Sequence, residues 1–255
     1  MVAVHGGSVD VRTPDGTADA YLAHPDGGGP HPAVLVFSDA FGLREHVRKM
    51  ADRLASHGYT VLVPNLFHRQ GSAPVVALPD FIDGQRRQEL LAQLLPLIQS
   101  LGPEPAMRDA GAHVDWLCDS PLTADGPVGV VGYCLGANLA LRTAGTFPDR
   151  VAAVAGFHGS NLAADDEQSP HLLAGAIRAE AYFGHADQDR ALPTEQIDRL
   201  EAALESAGVR HRTEVYPGAH HGFTQADTDA YDRASDERHW SELIDLFDRA
   251  LKQRN

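Results

Sequence analysis

Cys134 lies in the stretch Gly132-Tyr133-Cys134-Leu135-Gly136, with a glycine two residues before it and another two residues after. Ahead of it, Val128, Gly129, Val130 and Val131 are small or β-branched, the composition of a buried strand. Behind it, Ala137, Leu139, Ala140, Leu141 and Arg142 favour a helix. A strand, a tight turn that carries a nucleophile between glycines, and a helix make a nucleophile elbow. The glycines let the backbone turn without Cβ clashes. The turn lifts the sulfur clear of the sheet and beside a helix N-terminus, which favours a thiolate and a developing oxyanion. The bland alternative is a buried cysteine in a glycine-containing turn. The motif alone does not choose between them.

A cysteine nucleophile needs a base, and the base needs an orienting group. Asp187 and Asp189 follow a short strand at Glu180 to Phe183; His220 and His221 follow another at Arg212 to Tyr216. Nucleophile, acid and histidine thus come in the chain order of an α/β-hydrolase triad, each just past a strand end. In a parallel sheet those ends share one edge, where ligands bind, so three distant loops converge. The chain has 14 histidines, but no His-Glu-x-x-His or Cys/His spacing supports a metal site.

The elements that must position these residues can be read along the chain. Val9 to Arg12 and Ala20 to His24 alternate like two strands joined at Pro14-Asp15-Gly16, and residues 27–30 are a loop. Pro32 to Phe37 and Thr60 to Pro64 read as buried strands; the helix between them has Val47, Met50, Ala51 and Leu54 on one face. Residues 67–80 are irregular. Phe81 to Leu101 reads as one or two helices over the sheet, and Pro105 to Cys118 as another. Beyond the elbow, Val151 to Ala155 is a strand and residues 160–176 are loop-like. Pro193 opens a helix running to about Ala207. A last helix spans roughly Tyr231 to Leu251, with Trp240, Leu243, Ile244 and Phe247 inward. Strands alternating with helices predict a mostly parallel, doubly wound α/β sheet flanked by helices, in a single domain over residues 1–255.

A chain of 255 residues, 43% hydrophobic and 22% charged, is long enough to bury a core without disulfides or metal. The net charge of −14 argues against nucleic acid or an anionic membrane as partner. Two cysteines, Cys118 and Cys134, make no disulfide framework, and a reactive thiol stays reduced in a cytosol. The N-terminal residues lack the basic start and apolar core of a signal peptide. No apolar run approaches the ~20 residues of a membrane span. A cytoplasmic protein, monomeric or a small homo-oligomer, is expected.

Asp39-Ala40-Phe41-Gly42, Gly58 to Pro64, Gly132 to Gly136, Gly184 to Pro193 and Tyr216 to Phe223 together resemble the dienelactone hydrolase family of α/β-hydrolases, almost end to end. The resemblance implies the α/β-hydrolase fold, with Cys134 as nucleophile and His221, of the His-Gly-Phe piece, as base. The family's aspartate stands four residues before a proline, which gives Asp189 ahead of Pro193; counting from Gly184 points to Asp187 instead. The oxyanion hole would be the amides of Leu135 and Ala40. Asp39 falls where the family has a carboxylate, usually glutamate, that helps switch the cysteine on; here it is one methylene shorter. Gln225 stands where the best-known members carry an arginine that holds the substrate's carboxylate. Arg69, Arg86 and Arg87 are the candidates to replace that charge. Phe41 and Tyr133, in the same pieces, are expected on the substrate side. The activity implied is hydrolysis of small carboxylic esters or lactones through Cys134, His221 and Asp189 and a thioester acyl-enzyme, with no cofactor. Neutral substrates are favoured, because Gln225 brings no charge. The rivals are a non-catalytic binding protein on the same scaffold and a thiol redox enzyme, for which no resolving cysteine is placed.

Overall fold

The computed structural model describes residues 2–27 and 29–252. Gly28 of the loop expected at 27–30, and Met1 and residues 253–255 of the expected domain, lie outside the described residues. The chain opens with a hairpin, β1 (Val4–Thr13) and β2 (Gly16–Pro25). There follow β3 (Ala33–Phe37), α1 (Glu45–Ser56), β4 (Thr60–Pro64), α2 (Gly84–Ser100) and α3 (Pro103–Cys118). Next come β5 (Val128–Tyr133), α4 (Leu135–Thr146), β6 (Val151–Phe157), β7 (Glu180–Gln188), α5 (Thr194–Ser206), β8 (His211–His220) and α6 (Arg233–Phe247). One eight-stranded sheet runs β1-β2-β4-β3-β5-β6-β7-β8. From β4 to β8 every pairing is parallel; β2 is antiparallel to both its neighbours.

Both faces of the sheet are covered, so its central strands read as apolar runs rather than alternations. Successive residues of a strand point to opposite faces. Leu35, Phe37 and Val130 therefore pack with Val114, Leu141 and Leu200 of α3, α4 and α5. Val34, Val36 and Val131 pack with Leu54 of α1 and Trp240 and Leu243 of α6. The helix α2 stands apart. It buries only Leu90 and Leu94, in a small cluster with Phe41 and Ile82.

Several elements outrun their local signal. The strand expected at Glu180 to Phe183 continues to Gln188, because β8 supplies partners as far as Gln188↔His220 across a bulge. A ladder partner overrides the turn-like composition of Gly184 to Gln188. The same holds at β1, where Gly6, Gly7 and Ser8 pair with Ala23, Leu22 and Tyr21. Phe81 to Leu101 resolves into one helix despite Pro96, with the Asp83 side chain accepting from the Arg86 amide at its N-cap (2.8 Å). Pro170–Ala176, expected as loop, is a 3₁₀ turn. The last helix begins at Arg233, capped by Asp232, and closes in a wider turn at Asp248–Lys252.

The core also holds histidines that the fold keeps neutral. His113 and His185 are 2% and 1% exposed, and neither ring nitrogen of either has a hydrogen-bond partner among the described residues. Burial pushes both pKa values down to about 4, against smaller opposing pulls from Asp109 and Asp189 respectively. The unfolded chain binds these protons near 6.5, so between pH 6.5 and about 4 it holds more protons than the native state, and stability falls as pH falls. Each histidine contributes a slope of about 1.4 kcal/mol per pH unit within that window. Urea unfolding at pH 7, 6 and 5 should show this loss, and His113→Leu should flatten it. An unchanged slope in His113→Leu would remove that histidine from the account.

Candidate active site

Cys134 sits between the last residue of β5 and the first of α4, with φ 55° and ψ −119°. A non-glycine residue held there stores on the order of 1–3 kcal/mol of strain. The surroundings fix it. Its amide donates to the Phe157 carbonyl (3.1 Å), and its own carbonyl accepts from the amides of Ala137 and Ser160 (3.2 Å each). The flanking glycines have a steric reason. A Cβ on Gly132 would lie 1.9 Å from the Gly136 carbonyl oxygen, and one on Gly136 2.3 Å from that of Phe37. The turn is packed directly against β3, and only hydrogen fits.

His221 is the first residue beyond β8, and its Nδ1 lies 2.7 Å from Oδ2 of Asp189, the first residue beyond β7. The Asp189 side chain is 2% exposed. Its other oxygen accepts from the Ala191 amide (2.7 Å), which leaves Oδ2 aimed at the ring. Asp187 faces elsewhere: it is exposed and accepts from the Gly218 amide (3.0 Å). His220 ends β8 and is exposed. Burial disfavours charge on His221, but the sulfur of Cys134, through its negative charge and a hydrogen bond, and the carboxylate of Asp189 outweigh it and push the pKa up to about 10. A protonated ring beside the sulfur of Cys134 is the arrangement this environment favours.

A cavity of about 270 Å³ opens at this point. Cys134, Leu135, Ala40, Phe41, His221 and Gln225 all line it. Its roof is α2, through Arg87, Leu91 and Ile98. Tyr133, expected on the substrate side, is not in this wall, and that expectation is corrected. One residue before Cys134 on β5, it points to the opposite face of the sheet, where it is 2% exposed. There its ring stacks on Phe157 and its hydroxyl lies 2.9 Å from His239 Nε2.

Asp39 is 3% exposed and fully engaged. Its Oδ1 accepts from the Phe41 amide and from Arg44 Nη1 (2.8 Å each). Its Oδ2 accepts from Arg44 Nη2 (3.0 Å) and from Gln225 Nε2 (2.8 Å). None of these hydrogen bonds reaches Cys134, and Gln225 spends its amide on Asp39. Of the three candidate arginines, Arg87 alone lines the cavity, with Nη2 2.6 Å from Asp229 Oδ1. Arg86 pairs with Glu89 at the surface, and Arg69 with Asp15 and Asp109.

Two residues near the site escaped the sequence reading. Arg44 carries no local signal, since one of its partners, Asp227, is 183 residues away. His158 was within reach of the strand-end rule, being the first residue beyond β6. It is fully buried at φ 37°, its Nε2 lies 2.8 Å from Thr224 Oγ1, and its ring meets that of His221 edge-on at 5.3 Å. Among the described residues no three His, Cys, Asp or Glu are grouped to hold a metal ion, and no helix is long and apolar enough to cross a membrane.

The sheet order, the elbow after β5 and the His–Asp contact between the ends of β7 and β8 define an α/β-hydrolase. The chain belongs to the dienelactone hydrolase family, whose sequence profile matches residues 18–251, and it is a hydrolase. A carboxymethylenebutenolidase of Rhodococcus opacus is 28% identical over 243 residues, which cover 94% of this chain and 90% of that protein. A solved structure named m3DLH is 25% identical, with a TM-score of 0.80 over 98% of this chain and 99% of its own. A dienelactone hydrolase-like promiscuous phosphotriesterase from metagenomic libraries, 23% identical, shares the fold with a TM-score of 0.77 over 98% and 99% of the two chains.

Proposed function

We propose that this hydrolase cleaves small carboxylic esters or lactones by acyl transfer through Cys134, His221 and Asp189. The observation that carries this reading is a single contact set: His221 lies 2.7 Å from a buried Asp189 and shares a small apolar cavity with Cys134. The thiolate attacks the carbonyl carbon, and the amides of Leu135 and Ala40 receive the oxyanion. As the tetrahedral intermediate collapses, the protonated His221 gives its proton to the departing alkoxide. The neutral ring then takes a proton from water, the hydroxide attacks the thioester, and sulfur leaves as thiolate. A protonated ring at rest suits this order, because the first proton needed is the one given to the leaving group. The test is a panel of small aryl esters and lactones, with mass spectrometry of the quenched enzyme. An acyl mass on Cys134 during turnover is the expected result; hydrolysis with no such adduct would defeat the thioester route. Peroxide turnover without ester hydrolysis would favour the thiol redox reading.

The cavity also bears on substrate charge. Gln225 is neutral and committed to Asp39, Arg44 balances Asp39, and Arg87 is already paired with Asp229. Among the described residues no arginine or lysine of the wall is free for a substrate carboxylate, and the His221 ring is held by Asp189. A charge-assisted contact of that kind is worth about 1.5–3 kcal/mol, or roughly ten- to hundred-fold in binding. The methyl ester of an acidic lactone should therefore exceed the free acid in kcat/KM. Asp229→Asn, which frees Arg87, should narrow or reverse that ratio. A wild type that strongly prefers the acid, with no response to Asp229→Asn, would overturn this.

A further inference from the structure

The geometry points to Arg44 as a positioning residue that holds the oxyanion loop against the loop carrying His221. The inference rests on the acyl-transfer reading above. Arg44 occupies the N-cap position of α1, yet its side chain makes no cap. It turns inward instead, 8% exposed. Its guanidinium grips Asp39 with two bonds, of 2.8 and 3.0 Å. It grips Asp227 with two more, from Nε at 2.6 Å and Nη2 at 3.1 Å. Nη1 also reaches the Gly42 carbonyl (3.3 Å), and the guanidinium lies 5.4 Å from the centre of the Phe41 ring.

These contacts bracket Ala40. On one side of it stands Asp39; on the other, Phe41 and Gly42. The Asp39 carboxylate closes the turn by accepting the Phe41 amide (2.8 Å), and the Gly42 amide donates to the Asp39 carbonyl (3.0 Å). The backbone around the Ala40 amide is thus set by a carboxylate whose own position is set by Arg44. The opposite side of the guanidinium holds Asp227, two residues past Gln225, which itself donates to Asp39. One planar cation therefore spans the segment after β3 and the segment after β8. A bidentate fork fixes direction as well as distance, which a neutral side chain in its place would not. An oxyanion hole acts only when its donors already stand where charge develops, so a small tilt of this turn costs rate without emptying the cavity.

The test uses a reaction that needs the sulfur but no oxyanion. Iodoacetamide alkylates Cys134 by displacement at a saturated carbon, whereas ester hydrolysis passes through a tetrahedral oxyanion. In Arg44→Gln, kcat for an aryl ester should fall at least tenfold, toward the roughly 10²–10³ that loss of one oxyanion donor costs. KM and the alkylation rate of Cys134 should stay within about threefold of wild type. Affinity for a trifluoromethyl ketone, which the thiolate converts to a tetrahedral anion, should fall with kcat. Arg44→Lys, which keeps the charge but not the fork, should recover part of the loss. Arg44→Gln leaves the buried Asp39 and the partly exposed Asp227 uncompensated and is at risk of unfolding, so Arg44→Gln/Asp39→Asn carries the same comparison without the fully buried charge. An unchanged kcat in the folded variants would overturn the inference. So would equal losses in hydrolysis and alkylation, which would mean that Arg44 merely keeps the site folded. A wild type that hydrolyses no ester or lactone would instead defeat the acyl-transfer reading itself.

Discussion

Cys134→Ala should reduce ester hydrolysis by a factor on the order of 10⁶, the scale on which removal of a triad nucleophile acts. The fold should survive, because the side chain lines the cavity rather than a core cluster. Iodoacetamide should inactivate the wild type in step with labelling at Cys134. Cys118 provides the internal control, since it is also a free, half-buried thiol; inactivation that tracked Cys118 would sink the assignment. Backbone strain gives a second readout. At φ 55° a Cβ is unfavourable, so Cys134→Gly should melt above Cys134→Ala, by an amount equivalent to about 0.5–1 kcal/mol. The wild type thus holds its sulfur in a conformation that glycine would adopt more easily, as expected when a side chain's placement matters more than its contribution to stability.

How much of this was legible from residues alone follows from what each feature depends on. The elbow depends on neighbours in sequence: two glycines with no room for a Cβ around one cysteine. Such constraints leave a local pattern, and so did the apolar strands that both helix layers cover. The rule that ligand-binding residues gather at the C-terminal ends of parallel strands reached the pairs Asp187/Asp189 and His220/His221, and the family resemblance chose His221 and Asp189 among them. The choice between Asp189 and Asp187 rested on the family's spacing to Pro193, which favours Asp189, and strand ends alone do not make it. It turns on the bulge that offsets β7 against β8 after Ala186, which no composition announces. Tyr133 was misplaced for want of strand alternation applied to the residue next to Cys134. Arg44 lay beyond any local reading, because its meaning comes from Asp39 and Asp227 together. Buried charge is intelligible only when all its partners are in view.

Asp189→Asn should cost up to ~10⁴ in kcat, because an imidazole without its carboxylate loses the productive tautomer and orientation. Asp187→Asn should change kcat by no more than a few-fold, since that carboxylate makes an exposed contact with the Gly218 amide. The ratio between the two variants is the decisive quantity; equal small losses would place the acid elsewhere. The titration of His221 adds an independent test with a defined sign. Its pKa near 10 is raised by the charge on Cys134 and then by Asp189, against burial. Removing Asp189 deletes one raising influence, so the pKa must fall, while Asp187→Asn should leave it in place. NMR of the imidazole nitrogens would report both. A folded-state pKa above the unfolded value of 6.5 adds stability that is fully present below pH 6.5 and is lost as pH rises through 10. Asp189→Asn should accordingly lower the melting temperature most at neutral and acid pH and least above pH 10. Asparagine at 189 can still accept from the Ala191 amide, so the loop has reason to stay in place. What the substitution removes is the negative charge behind the ring, and a loss of rate with the loop intact is the signature of a histidine that needs that charge to act.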